Sequence, residues 1–179
     1  MFALSIANTM LTTGEAKNSL DVKKEHSSGE NRNYPRSEDV KTLNGIMKAY
    51  YEVVSGPAGS IPDKDRDLSI HIKDAQVIMM SGDGKGGVKP NIMTISGYHE
   101  RNSKPRKTGF FEYEIKRETR KYGAITHVWS TYEWKTTKDG PVGGRGINSI
   151  QLFHDGNRYW ISAESYDIRN KPVPKEFMP

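Results

Sequence analysis

The chain has 179 residues, of which 34% are hydrophobic and 27% are charged, and this fits one domain of ordinary size with a terminal tail. It contains no cysteine, which excludes disulfides, thiolate metal sites and a cysteine nucleophile. No window approaches about 18 consecutive apolar residues, so no membrane span is predicted. The net charge is +5, but the basic residues are interleaved with Glu and Asp. Even the densest run, Lys104–Lys107, is typical of a solvated surface, which disfavours nucleic acid as a partner.

Residues 1–35 are predicted to form a flexible N-terminal tail. The stretch Lys23–Asn31 is polar and charged, and it cannot bury enough apolar surface to offset the entropy lost on ordering. The apolar run Phe2–Ala7 has no Lys or Arg before it and is short for the core of a secretory signal. It is either the remnant of a clipped signal or an unstructured start. We favour the second, and with it a cytoplasmic over a secreted location.

Two helices are predicted next, near residues 37–55 and 63–71. Ser37 is suited to cap the first helix, because acidic residues follow it in the first turn, where the helix dipole favours them. Gly56–Gly59 ends this helix, and Asp63 is expected to cap the second. The first helix carries apolar residues at helical spacing, which must face a core: Val40, Leu43, Ile46, Met47, Tyr50, Tyr51 and Val54.

A strand over residues 75–80 follows, then a glycine-rich loop, Gly82–Gly87, and a short helix that Thr94 is expected to cap. The loop satisfies the spacing G-x-G-x-x-G, which occurs in dinucleotide-binding sites. Such a site needs a helix N-terminus directly after the loop, and Pro90 stands where that helix would run. We therefore interpret the loop as a mobile connection at the end of a strand.

The last third of the chain is predicted to consist of long strands. The hydrophobic pattern changes from helical to alternating near residue 109, which predicts an α+β fold with helices first and antiparallel strands after them. Asp155-Gly156 marks a tight turn between the last two strands. Residues 171–179 are rich in proline and are predicted to be an irregular C-terminal tail. The four strands are expected over residues 109–121, 123–137, 145–154 and 158–168.

The histidines contain no pair at i, i+4 spacing and no H-E-x-x-H motif, so neither a metal site nor a cofactor is predicted. His127 is the most interesting of them, because it lies mid-strand and shares one strand face with Trp129 by the period of two. A mid-strand histidine is also common as a hydrogen-bonded core residue. Asn148 lies in an apolar strand, where its amide must find a partner in the backbone, in water or in a ligand.

We expect a ligand-sized cavity bordered by His127, Trp129, Asn148, Tyr166 and Tyr98. Water or a ligand in such a cavity would satisfy the amide of Asn148, whereas an unpaired amide in the core would cost about 1–3 kcal/mol. The strand register cannot be read from the sequence. A slip of one residue would instead turn the opposite set of side chains inward: Val128, Ser130 and Tyr132.

Glu164 and Asp167, near the chain end, are the carboxylates best placed to reach such a cavity. Either is a candidate general base if it is desolvated, and a surface salt bridge is the alternative. No nucleophile motif of the G-x-S-x-G type is present. The sequence therefore assigns no catalytic residue.

The order of these elements resembles the SnoaL-like branch of the nuclear transport factor 2-like superfamily over about residues 37–168. Together, four segments are similar to a bacterial branch of uncharacterised members. In that branch the last strand often closes with a tryptophan, where this chain has Tyr166. The four segments are Val54–Gly59, Gly109–Glu112, His127–Glu133 and Gly146–Leu152.

The resemblance implies a cone over residues 36–170, in which a curved, mostly antiparallel sheet wraps around the N-terminal helices and leaves a cavity at the open end. It also implies a homodimer that pairs through the sheet. The superfamily includes ketosteroid isomerase, polyketide cyclases, dehydratases and binding proteins without a reaction, so the fold does not decide the function. The aspartate base, tyrosine and protonated acid of the isomerase have no identifiable counterparts in this sequence.

Three hypotheses for the function follow. The first is a domain that binds a small, largely apolar molecule without catalysis. The second is an isomerase, cyclase or dehydratase for a small hydrophobic substrate, with Glu164 or Asp167 as base. The third, weaker hypothesis is a module that binds a partner through its basic surface. A carboxylate or histidine that faces the cavity with a strongly shifted pKa and a second donor in reach would favour the enzyme.

Overall fold

The computed structural model describes residues 33–179, so the predicted N-terminal tail falls almost wholly outside the described residues. The described part contains α-helices, β-strands and one short 3-10 turn, Lys175–Phe177. None of the helices in residues 33–179 is long and apolar enough to cross a membrane. The helices are α1 (Ser37–Val40), α2 (Leu43–Val54), α3 (Lys64–Ile70) and α4 (Ile95–Arg101). The strands are β1 (His71–Gly82), β2 (Val88–Thr94), β3 (Phe111–Tyr122), β4 (Ile125–Lys135), β5 (Val142–His154) and β6 (Tyr159–Asp167).

The strands form one curved, open sheet in the order β2-β1-β6-β5-β4-β3. Neighbouring strands are antiparallel except β1 and β6, which are parallel. Register shifts interrupt every pair except β1 and β2, for example between Glu114 and Lys116 of β3. Such irregularities bend a strand and increase its twist, which suits a sheet that curves around helices. The predicted α+β cone with a mostly antiparallel sheet is confirmed.

The helix predicted over residues 37–55 is in fact two helices. Thr42 has an extended backbone, and its Oγ1 accepts a hydrogen bond from the backbone N of Gly45 at 2.9 Å, so Thr42 caps a new helix. Ser37 is the first residue of α1 and not its N-cap. A Cβ at Gly45 would lie 2.0 Å from the carbonyl oxygen of Glu38. Glycine therefore allows α1 to lie directly against the first turn of α2.

Residues 71–94, predicted to contain one strand and a loop, form a β-hairpin of β1 and β2. Strand β1 begins at His71, which the prediction had placed in the second helix, and β2 was missed. Within the glycine loop, the carboxylate of Asp83 accepts hydrogen bonds from the backbone N of Lys85 and Gly87 at 2.7 and 2.8 Å. Pro90 is compatible with β2 because β2 is an edge strand, where a missing N–H can face solvent.

The two shorter helices begin at the predicted caps. The Asp63 carboxylate accepts a hydrogen bond from the backbone N of Arg66 at 3.3 Å, which caps α3. Thr94 Oγ1 accepts a hydrogen bond from the backbone N of Gly97 at 3.1 Å, which caps α4. Both predicted caps are confirmed.

The core lies between α2 and the concave face of the sheet. Helix α2 buries one face, and the inward side chains of β4, β5 and β6 pack against it. A smaller cluster joins α4 to β1 through Ile95, Ala75 and Val77. The main cluster contains Val40, Ile46, Met47, Ala49, Tyr50, Tyr51, Ile70, Val128, Tyr132, Ile150, Leu152, Tyr159 and Ile161.

The convex face of β4 is covered by the C-terminal segment. Thr131 Oγ1 donates a hydrogen bond to the carbonyl oxygen of Phe177 at 2.8 Å, and the rings of Phe177 and Trp129 are 5.9 Å apart. Lys116 Nζ donates to the carbonyl oxygens of Glu176 and Met178, both at 2.7 Å. The 3-10 turn is the one regular element in residues 171–179.

Candidate functional site

A cavity of about 380 Å³ lies between the helices and the concave face of the sheet. We name it the tyrosine-lined cavity. Its volume is within the range of roughly 300–1,000 Å³ that is usual for small-molecule sites. It is lined by Tyr50, Val54, Asp67, Tyr98, Phe110, Glu112, Tyr132, Trp134, Gly143, Arg145, Asn148, Glu164, Tyr166, Asp167, Ile168 and Asn170.

Four tyrosines from different elements face this cavity. Tyr50 comes from α2, Tyr98 from α4, Tyr132 from β4 and Tyr166 from β6. Burial is the main cause that raises the pKa of each phenol. The hydroxyls therefore stay neutral at physiological pH and can donate hydrogen bonds to a bound molecule.

Glu164 is the most deeply buried acid of the cavity wall on the sheet side. It lies in β6 between Val77 of β1 and Ile150 of β5, both fully buried, so the period of two turns its side chain inward. It is 6% exposed, and its Oε2 has no hydrogen-bond partner in the described part of the chain. Burial raises the pKa of Glu164, whereas the charge of His71 and a hydrogen bond from Tyr50 act to lower it.

Glu112 is the second acid with a raised pKa. It is half-buried near the start of β3, where its backbone N donates to Ser55 Oγ at 3.0 Å. That hydroxyl in turn donates to the carbonyl oxygen of Tyr51 at 2.7 Å, which fastens β3 to the end of α2. Burial, and then the negative charge of Glu164, raise the pKa of Glu112 to about 8. Glu112 is therefore mostly a neutral acid at pH 7.

A buried cluster of Asp67, His71 and His99 stands behind Glu164. Asp67 Oδ1 lies 3.1 Å from His71 Nδ1, and Asp67 Oδ2 lies 2.9 Å from His99 Nε2. Burial is the largest single influence on His71 and acts to lower its pKa, but the charge of Asp67, the hydrogen bonds to Asp67 and the charge of Glu164 together outweigh burial and raise the pKa to about 9. Burial acts to raise the pKa of Asp67, but the two histidines outweigh it and lower that pKa. The cluster therefore places an imidazolium beside Glu164.

The two glutamates differ in the charged groups near them. Glu164 has the imidazolium of His71 near it, whereas the charge that acts on Glu112 is the negative charge of Glu164. Burial favours the protonated form of both glutamates, and an ionised Glu164 favours the protonated form of Glu112 further. Two titratable groups whose environments move their pKa values apart are the usual arrangement for general acid–base chemistry.

Asn148 lines the cavity and is also hydrogen-bonded. Its Nδ2 donates to the hydroxyl of Tyr51 at 3.3 Å, and that hydroxyl lies 2.6 Å from Ser130 Oγ. Ser130 donates to Glu114 Oε1 at 2.5 Å. The amide therefore finds a partner within the protein, and it needs no ligand to satisfy its nitrogen.

The structure brings together three of the five predicted site residues. Asn148, Tyr166 and Tyr98 line the tyrosine-lined cavity. The prediction placed His127 and Trp129 at the same cavity, but both lie on the convex face of β4. His127 Nε2 is 3.0 Å from Ser149 Oγ, and Trp129 packs on the C-terminal turn. The opposite set, which includes Val128 and Tyr132, faces inward. Any ligand contact of His127 or Trp129 remains a prediction.

Of the two predicted bases, Glu164 has the more suitable surroundings. Asp167 lies at the edge of the cavity, and Arg169 Nε donates to its Oδ1 and Oδ2 at 2.9 and 3.0 Å. These hydrogen bonds are the main cause that lowers the pKa of Asp167. A carboxylate with a lowered pKa and a guanidinium partner is a weak base.

The sequence analysis missed Glu112 and the cluster of Asp67, His71 and His99. Glu112 lies two residues before Glu114, and alternating acids in a strand are typical of a solvated face. The spacing of Asp67 and His71 at i, i+4 was a usable signal, because it places two side chains on one side of a helical turn. Within residues 33–179, no group of three or more metal-ligating side chains is arranged to hold a metal ion.

No protein-family description matches the sequence, and a comparison with curated proteins finds no significant match. Solved structures do match. A protein of unknown function with a cystatin-like fold, from Nostoc punctiforme, is 10% identical and superposes with a TM-score of 0.52, covering 76% of this chain and 98% of that chain. An NTF-2-like protein of unknown function from Silicibacter pomeroyi is 13% identical with a TM-score of 0.50, covering 71% of this chain and 92% of that chain.

A third structure comes from Novosphingobium aromaticivorans and is proposed to be an aromatic ring hydroxylase. It is 16% identical with a TM-score of 0.50, and the match covers 74% of this chain and 89% of that chain. These superpositions establish a shared fold, and identities this low leave the reaction open. The resemblance to the nuclear transport factor 2-like superfamily is confirmed at the level of the fold.

Proposed function

We propose that this chain, which has the nuclear transport factor 2-like fold, binds a small, largely apolar molecule in the tyrosine-lined cavity and moves protons on it. The observation that supports this proposal most strongly is the presence of two inward carboxyl groups, Glu112 and Glu164, in one cavity that also carries hydroxyl donors. Such a set of groups suits the isomerase, cyclase and dehydratase reactions, since each begins with the transfer of a proton.

In the proposed reaction, Glu164 acts as the base. Its carboxylate takes a proton from a carbon next to a substrate carbonyl, and the electron pair moves to the carbonyl oxygen. A neutral hydroxyl of Tyr98 or Tyr166 donates a hydrogen bond to that oxygen and stabilises its negative charge. Glu112, as the carboxylic acid, returns a proton to the new position. Glu164 ends protonated and Glu112 ionised, and exchange with solvent restores both.

Binding without catalysis is the second candidate, and the apolar part of the lining favours it. Val54, Phe110 and Trp134 contribute apolar surface that holds a hydrophobic molecule with or without a reaction. The rings of Phe110 and Trp134 are stacked with centroids 6.0 Å apart, so this wall is preformed. The two candidates share the cavity and differ in the role of the carboxyl groups.

Exchange of α-protons separates the two candidates without knowledge of the natural substrate. The probe is 1-tetralone, a small apolar ketone, and NMR in D₂O measures how fast its α-protons are replaced. We expect the chain to accelerate this exchange and Glu164→Gln to reduce the acceleration by about 100-fold or more. Glu118→Gln is the matched control, because Glu118 is an exposed acid of the same strand as Glu112. Binding of the ketone without accelerated exchange would favour the binding protein and contradict the enzyme.

A further inference from the structure

A second cavity of about 410 Å³ adjoins the tyrosine-lined cavity. The two cavities share four wall residues, Val54, Tyr98, Phe110 and Trp134. The outer cavity is otherwise formed largely by the segment between α4 and β3. These shared residues place the two cavities next to each other.

Three cationic side chains line the outer cavity, Lys104, Arg106 and Lys107, and we name them the basic mouth. No acidic side chain lines this cavity, and within residues 33–179 none of the three forms an ion pair. The contrast with Arg145 is informative, because Arg145 at the wall of the inner cavity lies 3.2 Å from the carboxylate of Glu133. The positive charge of the basic mouth is therefore not compensated by the described part of the protein.

Arg106 is held in place although it has no acidic partner. Its Nη1 donates to Ser60 Oγ at 3.0 Å, and its Nη2 donates to the carbonyl oxygen of Val54. Its backbone N donates to the Ser60 carbonyl at 2.9 Å, and its carbonyl accepts from the backbone N of Gly59 at 2.9 Å. A Cβ at Gly56 would lie 2.9 Å from Nη1, so the guanidinium also packs closely against the chain. These neutral partners fix the position of the guanidinium group without compensating its positive charge.

We infer that the ligand of the tyrosine-lined cavity is an organic anion, whose carboxylate or phosphate group binds the basic mouth while its apolar part lies in the cavity. This inference rests on the proposed function, because it assumes that the cavity is occupied by a small molecule. Arginine binds carboxylate and phosphate oxygens with charge-assisted hydrogen bonds, and the two lysines add attraction at longer range. In its ionised form, as the proposed base, Glu164 repels an anion from the inner end of the cavity. Together, these charges orient the ligand with its acidic group outward.

Three probes that differ in one group test the inference. They are 4-phenylbutanoate, its neutral amide 4-phenylbutanamide, and 4-phenylbutyl phosphate, measured by calorimetric titration at low and high salt. We expect the carboxylate or the phosphate to bind at least about tenfold more tightly than the amide, and this advantage to shrink at high salt. The tighter of the two anions identifies the acidic group that the site prefers.

Variants assign the preference to the basic mouth. The double substitution Lys104→Gln and Lys107→Gln changes two exposed side chains. We therefore expect the variant to keep the fold and to reduce the advantage of the anions several-fold. Arg106→Gln should abolish most of it. The matched control is Lys73→Gln, which removes an exposed lysine on β1 and should change nothing.

The outcomes separate this inference from the proposed function. Equal affinity for the anions and the amide overturns the inference and leaves a pocket for neutral molecules. An anion advantage that survives both changes in the basic mouth also overturns it, because another group then binds the anion. Failure of all three probes to bind contradicts the proposed pocket itself and the inference with it.

Discussion

Replacement of Glu112 by glutamine should make the fold less sensitive to pH. The pKa of Glu112 is about 8 in the folded chain, against 4.5 for an ordinary glutamate. Because the folded state holds this proton more tightly, its contribution to stability is full below about pH 4.5 and is lost as the pH rises to about 8. The loss is about 1.4 kcal/mol per pH unit, or about 3 kcal/mol at pH 7 and about 5 kcal/mol above pH 8. Glutamine is neutral throughout, so Glu112→Gln avoids this loss.

Urea denaturation at a series of pH values measures the effect. The free energy of unfolding of Glu112→Gln, minus that of the original chain, should rise steadily between about pH 5 and pH 8. Glu118→Gln, the exposed acid of the same strand, should show a nearly constant difference over that range. Parallel curves for Glu112→Gln and the original chain would refute a raised pKa at Glu112. The proposed role of Glu112 as an acid would then be lost as well.

Three other predictions follow from the buried groups and the fold. Asp67→Asn should lower the free energy of unfolding by about 3–5 kcal/mol in urea denaturation at pH 7. In the original chain, the raised pKa of His71 stabilises the fold fully below about pH 6.5, and this stabilisation is lost as the pH rises through about 9. The substitution should remove this pH-dependent stabilisation. Asn148→Ala should weaken the binding of 4-phenylbutanoate measured by calorimetry, whereas His127→Ala should leave it unchanged. Weaker binding in His127→Ala and unchanged binding in Asn148→Ala would show that the convex face holds the ligand. Light scattering behind a sizing column should give twice the chain mass of 20.2 kDa, and a monomer at high concentration would contradict the predicted homodimer.

The sequence predicted the architecture because its periodicity is strong where the elements are long. The stripe along α2 defines its buried face, the alternation in β4 and β5 marks them as strands, and the caps at Asp63 and Thr94 mark two helix starts. The short elements were harder to predict. Ile70-His71-Ile72 fits the end of a helix as well as the start of a strand, and Pro90 argued against a strand that exists as a sheet edge.

The site was harder to predict because its assignment depends on contacts between distant residues. Trp129 is a large aromatic side chain, and apolar size favours an inward position. It lies on the convex face because Phe177, from the far end of the chain, covers it there. Glu112 shows the reverse error, since a carboxylate in a strand is expected to face solvent. Only the assembled cavity shows that it faces inward.

The central claim is that one cavity holds a neutral carboxylic acid beside a carboxylate, and carbon-13 NMR of the glutamate side chains tests it most directly. The carboxyl resonance of each cavity glutamate is followed from pH 4 to pH 10, and its loss in Glu112→Gln or Glu164→Gln assigns it. The account predicts that Glu164 loses its proton first and that Glu112 follows with a midpoint near pH 8. Ordinary midpoints near 4.5 for both groups would contradict it.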